Sequence, residues 1–191
     1  MDTITLDIKS VGLTDEQFFK ITQDNRDLRF ERSAQGELVI MAPVTGRSGN
    51  RNGRLTQQLF NWADSNNLGI AFDSSTGFKL PNRADRSPDA SWVKLDRWNA
   101  LTEEEKDSFI PLAPDFAVEL RSKTDVLKTV QTKMLEYMDN GVRLGWLIDP
   151  KNRRLEIYRP GQEVEVLESP TSVSGEDVLP GFTLNPAPLW E

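Results

Sequence analysis

Residues 114–149 read PDFAVELRSKTDVLKTVQTKMLEYMDNGVRLGWLID, and this stretch decides the fold. Its opening, Phe116 to Arg121, is an apolar run of strand length with one carboxylate, Glu119, in the middle. Period-two geometry puts Asp115, Ala117, Glu119 and Arg121 on one face, and Phe116, Val118 and Leu120 on the other. Glu119 is then an acid inside a sheet. An ionised carboxylate buried without a partner is strongly destabilising, so the chain must supply a cation, a metal or a proton beside it. From Asp125 to Asn140, Val126, Val130, Met134 and Met138 recur at spacings of three and four, with Tyr137 beside them. The spacing predicts an amphipathic helix ended by Asn140-Gly141. Lys133 borders the apolar stripe one turn before Tyr137, where it can lean toward the sheet and lend Glu119 a positive charge. Leu144 to Ile148 is a continuous apolar run closed by the turn Asp149–Asn152, which suits a strand buried on both faces. Strand, helix and strand make a βαβ unit.

The 191 residues fit one domain, and 37% apolar with 28% charged residues is ordinary for a soluble globular protein. No apolar segment approaches the roughly 20 residues a bilayer requires, and no cationic start precedes an apolar run, so a cytoplasmic protein without a membrane segment is expected. The chain holds no cysteine and no histidine. That excludes disulfides, thiolate or imidazole zinc sites, Ser-His-Asp triads and Cys-His pairs. Chemistry must rest on carboxylates, amines and hydroxyls, or on a hard metal with oxygen ligands. The formal charge of −7 argues against a general polyanion binder, so a nucleic-acid role requires local basic patches.

Elsewhere, Leu13 to Phe19 reads as a helix start in which Thr14 caps, Gln17 completes a capping box and Leu13 staples against Phe18. Leu28–Glu31 and Glu37–Met41 form a hairpin, with Glu31 at the end of its first strand. From Thr45 to Asn67 a polar opening leads into a helix with Leu55, Leu59, Trp62 and Ala63 inward. Arg47, Arg51 and Arg54 fall at spacings of four and three, as a phosphate-binding stripe requires, although each taken singly is also an ordinary solvated residue. Ile70–Phe72 and Phe78–Leu80 are short strands, and residues 81–88 read as a polar loop delivering Asp89 to the mouth of the strand Asp89–Val93. Residues 94–114 form a charged excursion with a second capping box, Thr102 and Glu105. Arg154–Tyr158 and Glu163–Leu167 alternate as half-exposed strands with their acids toward solvent. Apolar anchors at Val178–Phe182 and Pro188–Trp190 dock the tail on the body.

Glu31, Asp89 and Glu119, all on strands, with Lys133 on the helix after the last, are the constellation that does not read as ordinary surface charge. Oxygen anions converging with an amine suit a magnesium or manganese ion that activates water against a phosphodiester. Lysine would position the nucleophile or neutralise the transition state.

Ser87-Pro-Asp89 followed by Val118-Glu-Leu-Arg121 resembles the signature of the PD-(D/E)XK, or restriction-endonuclease-like, superfamily. With RFERSAQGELVIMAP, KMLEYMDNGVRLGWLIDP, IYRPG and VLPGF in order, the chain resembles the Uma-two family of putative bacterial restriction endonucleases over most of its length. The resemblance implies an α/β (α+β) fold with a mixed central sheet flanked by helices, Asp89 and Glu119 as metal ligands, and Glu31 as a further acid. It departs at the strict lysine position, which is Arg121; a guanidinium is too basic to act as a base at neutral pH. The family's lysine on the next helix points to Lys133, with Lys123 as second candidate. DNA is the implied partner, and a homodimer follows by analogy.

Plainer roles stand beside these. Glu31 can pair with Arg29 or Arg51, Asp89 can be a turn acid, Glu119 can pair with Arg121 or Lys133, and Lys133 can be solvated. The competing reading for the whole chain is an inert nucleic-acid- or protein-binding module that keeps the fold, which Arg121 and the acidic charge favour. A carboxylate site acting on another phosphorylated substrate is a third.

Overall fold

In the computed structural model, which describes residues 4–41 and 43–191, the chain opens with β1 (Ile4–Asp7), α1 (Asp15–Asp24), the hairpin β2 (Arg29–Arg32) and β3 (Glu37–Met41), and α2 (Gly46–Asn66). β4 (Gly69–Asp73), β5 (Phe78–Lys79), β6 (Asp85–Arg86) and β7 (Ala90–Lys94) lead into the short helices α3 (Leu95–Asn99) and α4 (Glu103–Lys106). The βαβ unit follows as β8 (Phe116–Leu120), α5 (Leu127–Asp139) and β9 (Leu144–Asp149). β10 (Arg154–Tyr158), β11 (Glu165–Glu168), β12 (Val173–Ser174) and β13 (Thr183–Leu184) follow, and then a single 3-10 turn, Ala187–Leu189.

The central sheet runs β11-β10-β9-β8-β7-β4. β8 and β9 are parallel, in register from Phe116 opposite Leu144 to Leu120 opposite Ile148, and the other pairs are antiparallel. A second, antiparallel sheet runs β1-β3-β2-β6-β5. This is the mixed sheet flanked by helices that the resemblance implies.

The alternation along β8 sorts its residues to two cores. Phe116 and Val118 pack with Leu55, Leu59, Trp62 and Ala63 of α2, together with the tail residues Val178, Leu179, Phe182, Leu184 and Leu189. Ala117, on the opposite face, packs with Met134 and Tyr137 of α5. β9 is buried at every position, as a strand covered by helices on both faces must be. Gly145 lets α5 approach it: an added Cβ would lie 2.6 Å from the Met134 methyl and 2.9 Å from that of Met138. Thr14 and Gln17 form the expected capping box on α1, as do Thr102 and Glu105 on α4, and Leu13 packs into the cluster of Phe18, Phe30 and Leu38.

Three expectations need correction. Residues 81–88 are not only loop: Asp85-Arg86 forms β6 and pairs with both β2 and β5, because Arg32 Nε donates 2.7 Å to the buried Asp85 and ties the segment into the second sheet. α5 begins at Leu127 rather than Asp125, since the main chain and carboxylate of Asp125 are held by Arg121 and by the Ser122 amide in the preceding turn. Glu156 of β10 does not face solvent; it is buried and accepts hydrogen bonds from Gln131 and, at 2.6 Å, from the Tyr158 hydroxyl. Its alternation with Leu155 and Ile157 read as a half-exposed strand because α5, which covers that face, is not a sequence neighbour.

Candidate active site

Lys133 is the hub of the acidic cluster. Its ammonium lies 2.8 Å from Glu31 Oε1 and 2.9 Å from Glu119 Oε1, joining β2 of one sheet to β8 of the other through α5. Glu31 is further held by the Ser87 amide at 2.9 Å and by Arg86 at 3.1 Å. Arg86 in turn donates to Glu136 at 2.6 Å. Glu31 therefore pairs with Arg86 and Lys133, not with Arg29 or Arg51. With both of its oxygens engaged by these donors, it serves to hold the lysine.

Glu119 accepts from the Tyr137 hydroxyl at 2.8 Å on the same Oε1 that meets Lys133. Its Oε2 has no hydrogen bond within the described residues and is not sealed from solvent. Asp89 sits just before β7. Pairing of Ala90 with Val118 sets it opposite Glu119 near the end of β8, so the two acids occupy neighbouring positions at one end of the sheet. Asp89 Oδ2 accepts from the Leu120 amide at 2.8 Å, and Oδ1 from Asn52 of α2 at 3.3 Å.

Burial and neighbouring charge push these groups apart. Burial raises the Glu119 carboxyl to about 7, helped by the negative charges of Asp89 and Glu31 and opposed by Lys133. Burial also raises Asp89, against the Leu120 amide and the Lys133 charge. For Glu31 burial is outweighed by Lys133 and Arg86, and its pKa falls. Burial alone would favour a neutral Lys133, but Glu119 and Glu31 hold it charged, with its pKa raised. An ammonium so held donates and neutralises; it does not take protons. Divergent pKa values among neighbouring titratable groups are the pattern of acid-base sites.

Among the described residues no group of three or more acidic side chains is gathered as a metal site. The donor set still fits a hard cation: two carboxylates at one strand end, with an open oxygen on Glu119. Magnesium is commonly bound through one or two carboxylates and keeps waters in its remaining positions.

The other candidates separate. Arg121 is tied to Asp149 at 2.6 Å and to the main-chain oxygen of Asp125, so it braces the turn and does not join the cluster. Lys123 is exposed, on the loop before α5. Arg47 and Arg51 line a common cavity with Lys123, whereas Arg54 is exposed and does not line it. Sequence reasoning missed Arg86, Asn52, Glu136 and the Tyr137 hydroxyl. Lys133, Glu136 and Tyr137 stand at i, i+3 and i+4 on one helix face, a spacing that would have marked them as a unit.

A family model described as "Uma2: Putative restriction endonuclease" matches residues 15–187. No curated protein matches the chain. Among solved structures, the chain is similar to "a putative nuclease belonging to DUF820" from Anabaena variabilis ATCC 29413. The TM-score is 0.75 at 22% identity, over 94% of this chain and 98% of that one. At that identity the likeness establishes the shared fold.

Proposed function

Because this chain belongs to the Uma2 family of putative restriction endonucleases, we propose that it is a metal-dependent endonuclease hydrolysing phosphodiester bonds in DNA. The observation that carries the reading is Lys133 Nζ at 2.9 Å from Glu119, with Asp89 at the same strand end. The strict lysine position holds Arg121, but an ammonium delivered from α5 reaches the carboxylate that a strand lysine would serve.

In this reading Asp89 and Glu119 hold magnesium or manganese, which when bound would supply an activated water and shield charge on the phosphate. The protein's own groups do the rest. Lys133 stays charged and neutralises the developing oxyanion, and Glu31 with Arg86 fixes it in place. Tyr137 occupies one oxygen of Glu119 and so leaves the other without a protein donor among the described residues. Arg47 and Arg51, at the start of α2, hold backbone phosphate near the reacting bond. A homodimer would offer one such site to each strand of a duplex. With Arg121 engaged in bracing the turn, Lys133 beside Glu119 is what supports the catalytic reading over an inert module.

The test is supercoiled plasmid incubated with magnesium or manganese, wild type against Glu119→Gln. Cleavage is expected only with metal, and the variant should lose at least a hundredfold while its circular dichroism stays unchanged. Equal cleavage by the variant, or none by a folded wild type across single- and double-stranded DNA, would sink the proposal.

A further inference from the structure

Beside the acidic cluster is a cavity of about 320 Å³, near the lower limit for ligand pockets, which run from about 300 to 1,000 Å³. Its walls come from Arg47 and Arg51 of α2, Lys123 of the β8–α5 loop, Lys151 and Arg153 of the β9–β10 turn, and Trp190. It therefore opens at the carboxyl ends of the parallel strands β8 and β9, where open α/β sheets place their ligands.

The charge of this wall is out of keeping with a chain of net −7. Arg121, at its edge, is neutralised by Asp149, and Arg51 is engaged by Glu191, but Arg47, Lys123, Lys151 and Arg153 have no carboxylate partner within the described residues. Arg51 donates to the main-chain oxygen of Glu191 at 3.0 Å. Burial, together with the like charge of Arg47, lowers its pKa, so the two guanidinium groups lie close enough to feel each other's charge. Arg153 is held at φ 50°, a left-handed backbone that a residue with a Cβ adopts at some cost. Trp190 is half-buried against the core and also lines the cavity. The cavity also adjoins the cluster through the chain itself: Asn52, next to Arg51, donates to Asp89, and Arg121 follows Glu119 by two residues.

We propose that this cavity binds a single phosphorylated nucleotide, its phosphate on Arg47, Arg51 and Lys123 and its base stacked on Trp190. The nucleotide is a unit of the substrate strand next to the bond to be cut. The inference rests on the nuclease reading for its biological sense, but the binding chemistry stands apart from catalysis. A cavity of this size takes one nucleotide and not a duplex, so the strand must enter it unpaired, at an end or an extruded position.

The experiment is calorimetry or tryptophan fluorescence in EDTA, which keeps the acidic cluster free of metal. The ligands are a 5′-phosphorylated thymidine dinucleotide, its unphosphorylated twin, thymidine monophosphate and inorganic phosphate. The phosphorylated dinucleotide should bind at least tenfold more tightly than its twin and than inorganic phosphate. Joint Arg51→Ala and Lys123→Ala substitution should weaken it about tenfold or more. Trp190→Ala should cost about tenfold and Trp190→Phe little, with circular dichroism confirming that each variant folds. Glu119→Gln should bind as wild type does. Equal binding of inorganic phosphate and dinucleotide overturns the nucleotide assignment, as does indifference to the paired substitution. Thymidine monophosphate binding more tightly than the dinucleotide overturns the strand as source. DNA cleavage that persists in variants lacking the cations and the indole overturns the pocket alone. Binding as described in a protein that never cleaves DNA overturns the nuclease reading and leaves the pocket standing.

Discussion

Replacing Lys133 by Met removes the charge that joins Glu31 to Glu119 while keeping the length of the side chain. The ammonium makes contacts of 2.8 and 2.9 Å, and its side chain is 17% exposed against 4% for Glu31 and 11% for Glu119. Screening by water is therefore small. Removing one partner of a buried pair costs about 3–5 kcal/mol, chiefly because the other charge is left uncompensated. Glu31 keeps Arg86 and the Ser87 amide; Glu119 keeps only Tyr137. The larger share of the loss thus falls on Glu119, whose pKa should climb beyond about 7. A raised carboxyl pKa gives stability that is complete below the unfolded value near 4.5 and is lost as pH rises through the folded value. The gap between Lys133→Met and wild type should accordingly be small at pH 4.5 and widen to about 3–5 kcal/mol at pH 8. Urea unfolding across that range measures it, and adding Glu119→Gln to the variant should recover most of the loss. A Lys133→Met protein within 0.5 kcal/mol of wild type at pH 8 would refute the claim that this ammonium holds the cluster together.

Three more outcomes follow from the geometry. Since Glu119 must be ionised to take a cation and titrates near 7, manganese affinity in calorimetry should fall about tenfold per pH unit below that value and level off above it; a flat profile from pH 6 to 8 would contradict the assignment. Arg121→Lys, which recreates the strict motif, should not raise cleavage and should destabilise the protein by about 1–3 kcal/mol in urea, because the contact to Asp149 at 2.6 Å and the bonds to Asp125 are lost; a gain in activity would argue that the β8 position still belongs to the site. Gly69→Ala should lose more than about 3 kcal/mol, since its Cβ would overlap the Val93 carbonyl and the Trp92 ring, whereas Gly145→Ala, which meets only flexible methionine tips, should lose about 1–2 kcal/mol; thermal melts rank the two.

The central unit was legible because its signals are local: period two in Phe116–Leu120, period three to four in Leu127–Asp139, and a continuous apolar run in Leu144–Asp149. Asp89, Glu119 and Lys133 could be singled out by residue type and order. What could not be read was pairing across the two sheets. Nothing near Glu31 in sequence reveals that Arg86, on the two-residue strand β6, will reach it, because that strand exists only through its partners in β2 and β5. Glu156 misled for the same reason: its alternation is that of a wet strand until α5 is laid over it. The three arginines of α2 do not share the same surroundings. Arg47 and Arg51 reach the cavity, while Arg54, a turn further on, is exposed outside it.

Lys133, Glu136 and Tyr137 all ride on α5, so the donors to Glu119 and the outer anchor of Arg86 arrive as one cargo. Sliding that helix by a single residue, about 1.5 Å and 100° of turn, would strip Glu119 of both its donors at once. The acids thus confront either the whole set or none of it, and seating α5 against Gly145 is the step that arms them.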